Sequence, residues 1–222
     1  LPVDQLLKIS PAYREFADHQ THGARMVGIN MEGPFISAAK KGAHIAEYVV
    51  PADFETFQKL NEASGGRIRQ VDVAPEIPGN LDFIRKASEV CTVCVAHTAG
   101  GYEEAMAAYA AGAASNTHLY NAMSGFSHRA PGVVGAVFDS DTFAEIICDG
   151  FHINPAVIRA TFREMGDDRL CLISDSLRAA GCPNGVYELG GQQVHVQDGK
   201  ATLENGTIAG SVIDSRIAVE RA

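Results

Sequence analysis

The chain has 222 residues, 46% of them hydrophobic and 20% charged, enough to bury a substantial core. Its formal net charge of −9 argues against non-specific nucleic-acid binding. No apolar run approaches the roughly 20 residues that span a bilayer, and no signal-peptide pattern opens the chain. The five cysteines are an odd count, and Cys91, Cys94, Cys148 and Cys171 lie within apolar runs. They read as reduced core thiols of a cytoplasmic protein. Cys91 and Cys94 form a single C-x-x-C inside a strand-like run with no second pair, which speaks against a zinc knuckle.

In chain order, "SPAYREFADHQTHG" reads as a helix capped by Ser10, with Pro11 in its first turn and Gly23 after its end. Strand-like runs follow at 26–30, 67–75, 90–97, 112–119, 143–150 and 169–176. Between them lie the helix-like segments "ADFETFQKLNEAS", "GNLDFIRKASE", "YEEAMAAYAAG" and "NPAVIRATFREMG", the last with Asn154 as N-cap, Pro155 in the first turn and Gly166 at the end. This alternation predicts parallel strands joined by helical crossovers. Residues 185–210 instead alternate by twos and are punctuated by Gly-Gly, Asp-Gly and Asn-Gly, the pattern of an antiparallel meander.

Six parallel strands leave two architectures: an open doubly wound sheet, or a (β/α)8 TIM-type barrel with about six βα units present. No G-x-G-x-x-G or P-loop follows any strand, which weakens the nucleotide-binding version. Polar residues stand at nearly every strand exit instead: Glu32, Glu76, His97, His118, Asp149 with His152, and Asp175. A barrel gathers its strand ends into one mouth, so the barrel is expected. The expected divisions are a partial barrel over 1–184, a β-meander packed outside it over 185–210, and the start of a return towards the barrel over 211–222.

Glu32, His97 and His118 suit one divalent cation, with zinc favoured and iron or another ion fitting the same donors. On residues alone, each could also be a hydrogen-bonded structural group. Asp175, in "LISDS", is placed to move a proton to and from a water, or to serve as a turn aspartate. In "THLYNAMSGFSHRAPGVVGA", Asn121 and Arg129 are candidates for a polar or anionic ligand, and a solvated loop cation is the alternative for Arg129. Asp149 and His152 read either as ligand contacts or as a turn.

Taken together, "MEGPFIS" with "KKGAH", "VAHTAGGYEEA", "THLYNAMSGFSHRAPGVVGA", "DGFHINP", "LISDS" and "GTIAGS" resemble the N-acetylglucosamine-6-phosphate deacetylases of the amidohydrolase superfamily, in order from about residue 26 onwards. The resemblance implies a (β/α)8 barrel with a small β-sandwich domain, a homodimer when full length, and one or two divalent ions. It implies hydrolysis of the acetamido group of a small amino-sugar phosphate, without nucleic-acid or membrane partners. Carried over by position, Glu32, His97 and His118 are metal ligands, Asp175 is the acid/base, and His44 stands near the amide carbonyl. Ala43, His44, Asn121, Ala122, Arg129, His152, Ile208, Ala209 and Gly210 match substrate-contact positions.

The family's first two barrel strands, with an H-x-H motif on the first, have no counterpart here. The chain therefore reads as a portion of a longer protein, and residues 1–222 alone are expected to fold poorly or to be inactive. Asn30 stands where many relatives carry His, and Ser174-Asp175-Ser176 where Thr-Asp-Ala is common.

Overall fold

A computed structural model describes residues 1–222. Six parallel strands form one sheet: β1 (Ile29–Met31), β2 (Ile68–Val73), β3 (Thr92–Val95), β4 (Ser115–Asn116), β5 (Phe143–Ile147) and β6 (Leu170–Ile173). Their spatial order is their chain order. A doubly wound sheet reverses direction at a switch point, whereas a barrel runs on in sequence. The sheet is also curled. In a flat sheet β1 and β4 would stand roughly 14 Å apart, yet Glu32 Oε1 just past β1 and His118 Nε2 just past β4 are 3.1 Å apart. The strands therefore form a half-barrel.

Helices α2 (Phe54–Ala63), α3 (Asn80–Ala87), α4 (Tyr102–Ala110), α5 (Gly132–Phe138) and α6 (Pro155–Met165) connect successive strands. Their inner faces meet the sheet through Phe57, Leu60, Phe83, Ile84, Ala105, Ala108, Val133, Val137 and Ile158, all packed in one core with Val71, Val73, Val93, Val95 and Ile146. The aromatic members are edge-on, with Phe35 and Phe83 centroids 5.0 Å apart. Each fully buried Val, Leu, Ile or Phe among them contributes about 1.5–3 kcal/mol. The caps are local: Asp53 accepts from Thr56 N at 2.7 Å, and Asn154 from Ala156 N at 2.9 Å.

Three sequence expectations need correction. Helix α1 runs Val3–His19, with Pro11 inside it and Ser10 in its third turn rather than at its cap. Ser10 Oγ donates to Leu6 O at 2.7 Å, and Leu6 and Leu7 pack against the main core, so tertiary burial carries the helix through the proline. Residues 132–138, assigned to no helix from the sequence, form α5, whose Gly132 and Gly135 let the preceding Ser124–Pro131 loop approach closely. Cys171 is exposed rather than buried, because β6 is the last strand of the sheet and one of its faces lacks cover.

The second sheet is the expected meander: β7 (Gly185–Leu189), β8 (Gln192–Gln197) and β9 (Lys200–Thr202), all antiparallel. Val194 and Val196 point to one face and join Ala179, Ala201, Leu203 and Ala209 in a small separate core. A final helix, α7 (Ser215–Arg221), is capped by Asp214 and packs on β6.

Candidate metal and hydrolytic site

The polar residues at four strand exits enter one cavity of about 680 Å³, lined by Glu32, His97, His118 and Asp175 together with Ala43, His44, Asn121, Ala122, His152, Ile208 and Gly210. His97, His118 and Asp175 all have positive φ, 44°, 35° and 48°. Non-glycine residues adopt that region at a cost, and it is where strained functional side chains collect. Here it turns the side chains out of the strand pleat and into the cavity.

Glu32 Oε1 lies 2.9 Å from His97 Nε2 and 3.1 Å from His118 Nε2, and the two imidazole nitrogens are 3.0 Å apart. His97 Nδ1 is 2.8 Å from the Lys40 carbonyl oxygen, which can only accept, so the Nδ1 proton is committed there. The Nε2 of His97 then carries a lone pair facing a carboxylate oxygen and a second imidazole nitrogen. Such a triangle of lone pairs requires a cation at its centre. A proton can serve, and so can a metal, whose three ligand atoms at about 2.0–2.1 Å stand roughly 3.3 Å apart in a tetrahedral site. The donor set of one carboxylate and two imidazoles therefore fits a divalent ion, and no other group of three donors in the chain comes so close.

The ionisation states follow from the same contacts. Loss of water would raise the Glu32 carboxyl, but hydrogen bonds from His118, His44 and His97 outweigh it and hold Glu32 well below the ordinary range. The two histidines of the triangle diverge. Burial lowers His97, while at His118 burial is overcome by the Glu32 hydrogen bond and charge, and its imidazole is pushed up to about 9. One proton thus sits on His118 and is directed at Glu32 and His97.

Asp175 faces this cluster, with its carboxyl raised to about 6 by burial and by the Glu32 charge. Its backbone is held from behind: Ser211 N donates to Asp175 O at 2.7 Å, and a Cβ on Gly210 would stand 2.8 Å from that same oxygen. His44 Nε2 is 3.8 Å from Glu32 Oε1, and its ring packs edge-on to His97 at 4.9 Å. The loop bearing it closes over His97 at Gly42, where φ is +56° and a Cβ would meet the His97 ring at 3.1 Å. Gln192 of β8 donates to Ala43 O at 2.6 Å, so the meander braces that loop.

Not every expected residue arrives. Arg129 is exposed on the loop before α5 and does not line the cavity. Ala209 is fully buried in the small meander core, because the alternation that points Ile208 and Gly210 at the cavity turns Ala209 away. Glu76 is drawn off by Thr98 Oγ1 and Ala99 N, at 2.5 and 2.8 Å. Asn121 reaches the cavity wall while its amide nitrogen binds back to the His118 and Leu119 carbonyls, each at 3.2 Å.

Three contributors went unread in the sequence. Lys40 supplies the carbonyl for His97, and its Nζ binds Met123 O at 3.0 Å. Gln192 carries only the signal of a turn. Asp72, a lone acid in an apolar strand, is fully buried, accepts from Thr117 Oγ1 at 2.9 Å, and leaves its second oxygen without a partner, as is Nδ1 of His118.

No family model matches the chain. Individual relatives do. The chain is 39% identical over 213 residues to the N-acetylglucosamine-6-phosphate deacetylase of Bacillus subtilis (strain 168), covering 95% of this chain and 54% of that one. It is 36% identical over 211 residues to the Homo sapiens protein of the same name, and 35% identical over 199 residues to the N-acetylgalactosamine-6-phosphate deacetylase of Escherichia coli O157:H7. These two alignments each cover 89% of this chain, with 51% and 52% of the relatives. The solved N-acetylglucosamine-6-phosphate deacetylase of Pasteurella multocida superposes with a TM-score of 0.92 at 34% identity, over 100% of this chain and 58% of that one. A Mycobacterium smegmatis D267A mutant in complex with N-acetyl-D-glucosamine-6-phosphate gives a TM-score of 0.90 at 32% identity, over 96% and 55%. The chain spans about half the length of the curated relatives it matches. By sequence and by fold, the chain is similar to about half of an N-acetylglucosamine-6-phosphate deacetylase.

Proposed function

We propose that the whole protein hydrolyses the acetamido group of N-acetylglucosamine-6-phosphate to glucosamine-6-phosphate and acetate, in amino-sugar catabolism. The observation that carries this reading is the triangle of Glu32 Oε1, His97 Nε2 and His118 Nε2 set opposite Asp175 in one cavity. Glu32, His97 and His118 would hold the ion, and zinc suits one carboxylate and two imidazoles best. Bound there, a divalent ion supplies Lewis-acid polarisation of an amide carbonyl and lowers the pKa of water.

The chain's own residues do the rest. Asp175 takes the proton of the attacking water on its carboxylate and passes it to the departing amine nitrogen. His44 donates from its ring to the carbonyl oxygen as negative charge develops there. Ala43, Asn121, Ala122, His152, Ile208 and Gly210 form the walls that orient the sugar phosphate. The 185–210 segment serves as part of a small second domain that closes one side of the cavity. A cytoplasmic homodimer is the working form in this reading.

An N-acetylgalactosamine-6-phosphate deacetylase is the second reading, favoured by the relative of that name at 35% identity. Comparing acetate release from the two epimers under identical metal loading separates them. A higher kcat/KM on the galacto epimer selects the second.

A further inference from the structure

Asp149 and His152 lie in the loop between β5 and α6, and of the two only His152 lines the cavity that also holds Glu32, His97 and His118. Both carboxylate oxygens of Asp149 are engaged within its own loop. Oδ1 accepts from Phe151 N and His152 N, both at 2.8 Å, and Oδ2 lies 2.7 Å from His152 Nδ1. Both side chains are almost fully buried, 3% and 7% exposed. Burial alone would raise the Asp149 carboxyl, but the hydrogen bonds from His152 and Phe151 outweigh it and hold it below the ordinary range. It is therefore an anion at neutral pH. The loop itself is pinned, since the Arg221 guanidinium of α7 donates to the Asp149 carbonyl oxygen and Phe151 packs beneath Gly199 of the meander.

A carboxylate bound at Nδ1 commits that nitrogen to carrying the proton and fixes the ring plane. We propose that Asp149 is a positioning residue: it holds His152 by Nδ1 so that Nε2 faces the cavity as the atom that binds an oxyanion of the substrate. The inference rests on the sugar-phosphate reading above, and phosphate is the oxyanion that reading supplies. Asp149 touches no ligand itself and acts through the imidazole. An asparagine would keep the shape but present an amide N–H to Nδ1, reversing the proton's place on the ring.

The test is a double-mutant cycle on the whole, metal-loaded protein, with N-acetylglucosamine-6-phosphate as substrate and inorganic phosphate as probe. Asp149→Asn is expected to raise KM roughly tenfold with kcat altered less than about threefold, as loss of uniform binding does. His152→Ala is expected to raise KM at least as much, and the double variant no further, because coupled residues are not additive. Additive losses in the double variant, or a fall in kcat at unchanged KM, would overturn the assignment. Two-dimensional ¹H–¹⁵N NMR of the wild-type protein provides a readout independent of turnover and of variant folding. A His152 Nδ1–H resonance and an Nε2 shift that responds to inorganic phosphate are expected. A proton on Nε2 alone, or no response to phosphate, contradicts the proposal. Should the wild type release no acetate while these NMR signals appear, the sugar-phosphate reading fails and the positioning role stands.

Discussion

His97 Nδ1 donates to the carbonyl oxygen of Lys40 at 2.8 Å, joining the exit of β3 to the loop after β1. The Lys40 ammonium in turn holds Met123 O at 3.0 Å, so one residue ties His97 to the loop after β4. A metal-ligating histidine is oriented by whatever receives its other ring proton, and losing such a partner typically costs 10–100-fold in metal affinity. Lys40→Met keeps the backbone carbonyl and releases its anchor. About tenfold weaker zinc binding is expected, measured by competition with a chelating dye.

Proton release on metal binding follows from His118. Its imidazole is pushed up to about 9, since the Glu32 hydrogen bond and charge overcome burial, so it holds a proton at pH 7 that an incoming ion must displace. The apparent metal affinity should rise about tenfold per pH unit between 6 and 8 and level off towards 9. Calorimetry in buffers of different ionisation heat reads this directly, as about one proton released per ion at pH 7.

Asp175 predicts an acidic limb. Its carboxyl is raised to about 6 by burial and by Glu32, and in the proposed role it must be deprotonated to accept a proton. Below about pH 6, kcat/KM should fall roughly tenfold per unit. Asp175→Asn should lower turnover by about 10²–10⁴ with metal content unchanged.

The expectation for Asp72 is one of stability rather than turnover. Burial first, then the charges of Glu32 and Glu145, push its carboxyl well above the ordinary range. A raised carboxyl makes the folded state bind the proton more tightly, so this group's contribution declines as pH rises from the unfolded pKa through the folded one. Asp72→Asn removes the buried charge and retains an oxygen for Thr117. A gain of about 1–3 kcal/mol at pH 8, shrinking towards pH 4, is expected from urea unfolding.

Gly210 supports Asp175 from behind, with φ of +58° and the Asp175 carbonyl oxygen 2.8 Å from where a Cβ would lie. Gly210→Ala should cost about 1–3 kcal/mol through left-handed strain and contact. It should also lower kcat through displacement of Asp175, read by steady-state kinetics alongside the melting temperature.

The barrel strands and the Glu32–His97–His118 cluster were legible because both rest on repeated patterns. Strand and helix periods alternate along the chain, and Glu32, His97 and His118 each stand just past a strand. Helix α1 was misread because Pro11 and Ser10 carry local stop-and-start signals that burial of Leu6 and Leu7 overrides. Arg129 was ambiguous on spacing, and nothing local says whether a loop cation turns inward. Lys40, Gln192 and Asp72 act through contacts spanning 57, 149 and 45 residues, to His97, Ala43 and Thr117. Contacts of that range leave no trace in a local pattern, and in two of them the acceptor is a backbone carbonyl without side-chain identity.

The central claim is that Glu32, His97 and His118 hold an ion opposite Asp175 for amide hydrolysis of an amino-sugar phosphate. The most direct measurement is acetate release from N-acetylglucosamine-6-phosphate by the whole protein loaded with zinc, beside His118→Ala and Asp175→Asn. Steady turnover is expected in the wild type, with loss of both metal and activity in His118→Ala and loss of activity alone in Asp175→Asn. Full turnover by a metal-loaded Asp175→Asn, or an undiminished metal content in His118→Ala, would contradict it.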